Sequence, residues 1–182
     1  MSGYWVRADR AAWAILMLVV LQPLPAAGAG LSNSDRLFLS KAAQGGLMEV
    51  TAGKLAEQRG SDPAVKAYGQ KMVADHTAAN EKLKSLADSK QMPLPSAVSA
   101  EERTSLDKLE TLNGAEFDRS YAQMMVKDHT EDVNEFEKAA RKSKDSDVRA
   151  FAATTLPTLR HHLVMANQLS SRSASSAPTR TK

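Results

Sequence analysis

Residues 117–140 read FDRSYAQMMVKDHTEDVNEFEKAA. Phe117, Tyr121, Met125, His129, Val133, Phe136 and Ala140 recur at steps of four and three, the spacing that lines side chains along one face of an α-helix. The intervening positions are mostly charged or amide, so the segment reads as a helix with one face inward. A second stretch repeats the pattern at an offset of fifty-three residues: YGQKMVADHT at 68–77 aligns with YAQMMVKDHT at 121–130. Two unrelated amphipathic helices would share apolar positions. They would not readily share Asp-His-Thr as well, so the repeat predicts two helices with equivalent roles facing one another.

Working outward, a helix is expected from about Ser34 to Arg59, with the stripe Phe38, Ala42, Gly45, Glu49, Ala52 and Ala56. A second follows Asp62-Pro63, a cap residue and a proline at the first helical position, and carries Val65, Tyr68, Met72, His76, Ala79, Leu83 and Leu86 inward. Ser99 and Glu102 match a capping box and open a short helix that stops near Asn113-Gly114. The helix quoted first then runs from about Ala115 to Lys142. A last one spans about Ser146 to Ser170 with Val148, Ala152, Thr155, Leu159, His162, Ala166 and Leu169 inward, and Pro157 is expected to kink it. The fold class is therefore all-α: a four-helix bundle with an extra short helix in the long connection between the second and third long helices. A connection of that length allows a crossover of the bundle, as in ferritin-like folds; an up-down bundle with a capping helix is the alternative.

Composition agrees. The chain has 182 residues, 42% of them apolar but only 5% aromatic, and no cysteine. Disulfides, a thiolate nucleophile and a cysteine metal site are excluded. The net charge is +3, with Lys and Arg interleaved with Asp and Glu throughout, so there is no nucleic-acid footprint. Arg7 and Arg10 precede the apolar run Ala11–Leu21, which is too short to span a bilayer, and Ala27-Gly28-Ala29 supplies small residues for cleavage. Residues 1–29 are read as a signal peptide cleaved near Ala29, placing the remainder in the periplasm or cell envelope. No later segment is expected to span a membrane. Residues 30–170 form the bundle domain, and 171–182 are read as a disordered basic, Ser-rich tail.

The motifs Phe38…Ala42-Ala43-Gln44-Gly45-Gly46-Leu47-Met48-Glu49-Val50, Met72-Val73-Ala74-Asp75-His76-Thr77, Phe117-Asp118…Tyr121…Asp128-His129 and Leu156-Pro157…Leu159…His162-Leu163 together resemble the bacterial domain-of-unknown-function 4142 family. The resemblance covers roughly 34–169. It implies an exported or outer-membrane protein with a ferritin-like helical bundle, and it carries no activity to transfer.

Glu49, His76, His129 and His162 place one ionisable group on the apolar seam of each long helix. At 1.5 Å rise per residue, His76 and His129 each lie about 21 Å from the start of their helices, and Glu49 about 16 Å from the turn that follows it. A Glu49–His76–His129 cluster is expected, with His162 about two turns away as a looser member. Two readings follow. The leading one is a non-catalytic envelope protein of binding or structural role, with an unknown envelope partner, in which these groups form a buried polar network; Asp75 and Asp128 either orient the imidazoles or pair with Lys71 and Lys127. The second is a transition-metal site. No Glu stands three residues before any of these histidines, so the di-iron pattern is missing. Met72–His76 and Met125–His129 are i, i+4 pairs of thioether and imidazole, which suit copper first, iron or zinc after it. No nucleophile motif or phosphate loop is present, so no enzyme activity and no other cofactor is expected. Gly45-Gly46 is read as a close approach of a neighbouring helix, or as room for a ligand beside Glu49.

Overall fold

The computed structural model describes residues 30–175, which form five α-helices and no strand. They are α1 (Asn33–Arg59), α2 (Pro63–Ser89), α3 (Ala100–Glu110), α4 (Gly114–Lys142) and α5 (Ser146–Ser175). The signal peptide, its cleavage point and the tail beyond 175 lie outside the described residues. Each start has a local cause. The Ser32 hydroxyl accepts from the Asp35 N–H and caps α1 two residues before the expected Ser34, and Asp62 caps α2 ahead of Pro63. The predicted capping box is complete at α3: the Glu102 N–H donates to the Ser99 hydroxyl, and the Ser99 N–H donates to the Glu102 carboxylate. α5 is helical through Pro157, which faces solvent, and continues to Ser175. The expected tail boundary at 171 is therefore five residues too early; the Ser171 hydroxyl donates to the Asn167 carbonyl within this added turn.

α1 packs along α2 and α4 along α5, the two hairpins joined by short turns; α1 also lies beside α4, and α2 beside α5. The core falls into two hydrophobic clusters that define the ends. One gathers Phe38 and Leu39 of α1, Leu83 and Ala87 of α2, Phe136 of α4 and Val148 and Phe151 of α5. The other gathers Ala52 and Ala56, Val65, Tyr68 and Met72, Phe117, Tyr121 and Met125, and Ala166 and Leu169, with Leu106 and Leu109 of α3. So α2 ends at the first cluster and α4 begins at the second. Residues 90–113 travel the length of the molecule, and α3 packs against the second cluster on the way.

Polar staples hold both ends. The buried Asp118 carboxylate at the start of α4 accepts from the Ser61 N–H, the Ser61 hydroxyl and the Asp62 N–H in the α1–α2 turn. At the opposite end the Lys90 ammonium pairs with Asp145 at 2.8 Å in the α4–α5 turn and with Asp147 at 2.6 Å in the first turn of α5. Helices α1 and α2 approach closely at Gly53 and Gly69, where an added Cβ on either would lie 2.7 Å from the other's carbonyl oxygen. Gly46 is also pressed: a Cβ there would meet the Asn80 side chain of α2. Gly45 is open by comparison, its nearest such neighbour being Asp132 at 3.9 Å.

Candidate functional site

Between the two apolar clusters lies a polar layer, one residue from each long helix: Glu49 on α1, His76 on α2, His129 on α4 and His162 on α5. All four are buried, His129 and His162 completely. The three imidazole rings lie with centroids 5.3–5.7 Å apart. One nitrogen from each comes within 4.8 Å of the other two. His162 is thus a full member of the cluster, not a residue two turns away. The α4–α5 hairpin explains it: counted from the turn at Lys144, His129 stands 15 residues before and His162 18 residues after, an axial offset of only about 4.5 Å.

Each ring has one nitrogen committed to an acceptor. His76 Nδ1–H donates to Glu49 Oε2 at 2.7 Å. His129 Nδ1–H donates to the carbonyl of Met125 one turn earlier, at 3.0 Å. His162 Nε2–H donates to Asp75 Oδ2 at 2.7 Å. These bonds assign the tautomers and leave His76 Nε2, His129 Nε2 and His162 Nδ1 with lone pairs. His76 Nε2 has no hydrogen-bond partner among the described residues. His129 Nε2 and His162 Nδ1 face each other at 3.3 Å, and with these tautomers neither can donate. Glu49 Oε1 lies 3.3 Å from His129 Nε2 and is likewise without a hydrogen-bond donor among the described residues. Two lone pairs directed at one another in a dry interior repel unless a positive charge, a proton or a cation, lies between them.

Burial works against the proton. It pushes the His129 and His162 imidazoles down to about 4 and the His76 imidazole below its usual value, overcoming the nearby carboxylates. Burial thus favours the neutral form of all three rings. Burial also pushes the Glu49 carboxyl up to about 7, against the pull of His129. The Asp132 carboxyl, adjoining Glu49, is driven well above the carboxylate range by burial and by the Glu49 charge. A cavity of about 20 Å³ touches Glu49, His76 and Asp132, enough for one water or ion.

The histidine nitrogens lie within 4.8 Å of one another, and two separations in the cluster equal those between ligands of one ion. Four ligands about 2.0–2.1 Å from a tetrahedral ion stand about 3.3 Å from one another, the separation found here for His129 Nε2 to His162 Nδ1 and to Glu49 Oε1. Carboxylate or carbonyl acceptors on the far nitrogen are what orient metal-bound histidines. Met72 and Met125, expected as thioether ligands, are fully buried in the cluster on the Tyr68 side. What Met125 contributes to the histidines is its carbonyl oxygen.

Asp75 does both things expected of it, orienting His162 while pairing with Lys71 at 3.0 Å. Asp128 pairs with no donor through its buried Oδ2 among the described residues, and burial pushes its carboxyl up to about 7. Asp132 was not foreseen. It stands three residues after His129, a spacing that puts both on adjoining parts of one helical face.

Comparison with known proteins adds fold and family. A DUF305 fragment from Deinococcus radiodurans superimposes with a TM-score of 0.70 at 12% identity, covering 79% of this chain and 99% of that one. A DUF305 protein from Streptomyces coelicolor, inferred to be secreted, gives 0.66 at 14% identity, covering 78% and 94%. At these identities the likeness is one of fold. Comparison with curated proteins gives no match. Residues 20–169 match the family model described as a domain of unknown function, DUF4142, and the chain belongs to that family.

Proposed function

We propose that this protein is an exported metal-binding protein with a ferritin-like bundle, and that Glu49, His76, His129 and His162 hold one divalent transition ion at its centre. The observation that carries the reading is the tautomer pattern: three buried imidazoles, each pinned through its far nitrogen, leave their lone pairs inside a cluster whose ligand nitrogens lie within 4.8 Å of one another. Nitrogen and carboxylate donors suit zinc or copper(II) better than copper(I), which prefers the sulfur of Met72 and Met125. Four protein donors would close a tetrahedral shell. Catalytic sites keep a position open for substrate, so a closed shell supports a binding or structural role. The ferritin-like assignment is supported by the long crossover between α2 and α4. Export is supported by the leader pattern, and no helix among the described residues is long and apolar enough to cross a membrane.

The test is a panel of Cu, Zn, Ni, Fe and Mn against purified protein, read as retained metal per chain and as a melting shift. One equivalent of zinc or copper is expected, lost in the double variant His76→Ala, His129→Ala. If no ion is retained and none shifts the melting temperature, the layer is a proton-sharing network that sets helix register, and the metal reading is wrong.

A further inference from the structure

A groove of about 610 Å³ runs along the α1–α4 face and is rimmed by the first turn of α3. Seven carboxyl groups line it against two lysines, Lys41 and Lys127. The outer ones face solvent: the Glu101 side chain is 84% exposed and that of Glu131 65%. Deeper in the groove are Asp128, whose buried Oδ2 has no donor among the described residues, and Asp132. Its floor includes Glu49, a residue 1% exposed whose Oε1 lacks a hydrogen-bond partner among the described residues and lies 3.3 Å from His129 Nε2. An acidic rim alone is ordinary helical surface. A fully buried carboxylate at its base, hydrogen-bonded to Asp132 of the groove and itself touching the histidine centre, is not.

Two of the other faces offer a cation less. Between α1 and α2 the Asn80 side chain fills the space over Gly46. On the α2–α5 side, Asp75 is engaged by His162 and covered by the Lys71 ammonium at 3.0 Å, which would repel an arriving ion. Gly45, on the open face, leaves room beside Asp132 that a larger side chain would narrow.

We infer that the α1–α4 groove is the entrance by which a hydrated divalent cation reaches the histidine centre. The outer carboxylates concentrate the ion, Asp128 and Asp132 take it from water, and Glu49 hands it to the imidazoles. The inference rests on the metal reading and deepens it. A cleft lined by one sign of charge accelerates capture of the opposite ion, and the gain fades as salt screens it.

Loading of Co²⁺ followed by its visible absorption in a rapid-mixing experiment tests this. E131Q/E135Q, which touches neither the imidazoles nor Glu49, should slow loading on the order of ten-fold at low ionic strength, with the same final absorbance and little difference from wild type in high salt. D132N should slow it further. K71Q, on the opposite face, should leave the rate unchanged. Equal rates for wild type and E131Q/E135Q would overturn the inference, as would acceleration by K71Q, which would place the path beside Asp75. A wild-type protein that develops no Co²⁺ absorption at any concentration would instead remove the centre itself, and the groove's role with it.

Discussion

Two buried carboxylates sit about half the molecule apart and are treated differently by the fold. At the α1–α2 turn, Asp118 meets two N–H groups and a hydroxyl, and those donors exist because the turn has backbone to offer. In the middle layer Glu49 meets one imidazole N–H through Oε2 and the carboxyl of Asp132, while Oε1 faces a nitrogen lone pair. Helix backbone is already bonded to itself there, so only side chains can serve. A carboxylate satisfied by a turn holds a structure together. One set among imidazole lone pairs favours a positive charge between them, a proton or a cation.

The sharpest way to break this contrast is to remove one member of each region. His129→Ala should weaken metal binding by more than about 100-fold, beyond the range typical of losing an outer-shell partner, as read by chelator competition. Asp118→Ala should do the reverse. It leaves three donors without their acceptor and should cost about 2–3 kcal/mol in urea unfolding, with metal stoichiometry unchanged. If Asp118→Ala abolished binding, or His129→Ala cost as much stability as Asp118→Ala in metal-free protein, the division between staple and site would collapse.

Asp75→Asn sharpens the comparison, because Asp75 serves the site without joining it. With its hold on His162 Nε2–H loosened, metal affinity should fall by about 10- to 100-fold, while the urea midpoint of the metal-free protein barely moves.

The smallest expected effect is on pH. Burial holds His129 and His162 down to about 4 from 6.5, so between those values the unfolded chain binds protons that the folded chain refuses. Metal-free protein should therefore lose stability as pH falls from 6.5 through 4. Glu49, pushed from 4.5 up to about 7, acts in the opposite sense: the folded chain keeps a proton that the unfolded one gives up, and stability declines as pH rises across that interval. Denaturation midpoints across this range should show a shallower acid limb for His129→Ala than for wild type.

Much of this arrangement was legible in the sequence, and the illegible part has a physical reason. The 3–4 spacing that marks Phe117, Tyr121 and Met125 as inward also marks His129, because periodicity reports facing regardless of chemistry. Caps at Ser99 and Asp62 were legible because they are local, set by residues two or three apart. The level of His162 is not legible in the sequence because it depends on where the α4–α5 turn falls, which shifts the register of two long helices together. The α2-to-α4 crossover stayed open for the same reason: nothing local to residues 90–113 says which end of the molecule they reach. Asp132 gives no periodic signal because it lies at the edge of the α4 seam, half-buried beside Val133. The tautomers were beyond reach, since they depend on which acceptor meets each ring, down to the Met125 carbonyl, where a thioether ligand had been expected.

The central claim is that three neutral imidazoles converge by their lone pairs, and it can be tested without any metal. Long-range proton–nitrogen NMR on metal-free protein at pH 7 reports the protonated nitrogen of each ring. The account predicts His76 and His129 protonated at Nδ1 alone and His162 at Nε2 alone. A proton on the inward nitrogen of any of the three, or a ring charged at that pH, would contradict it.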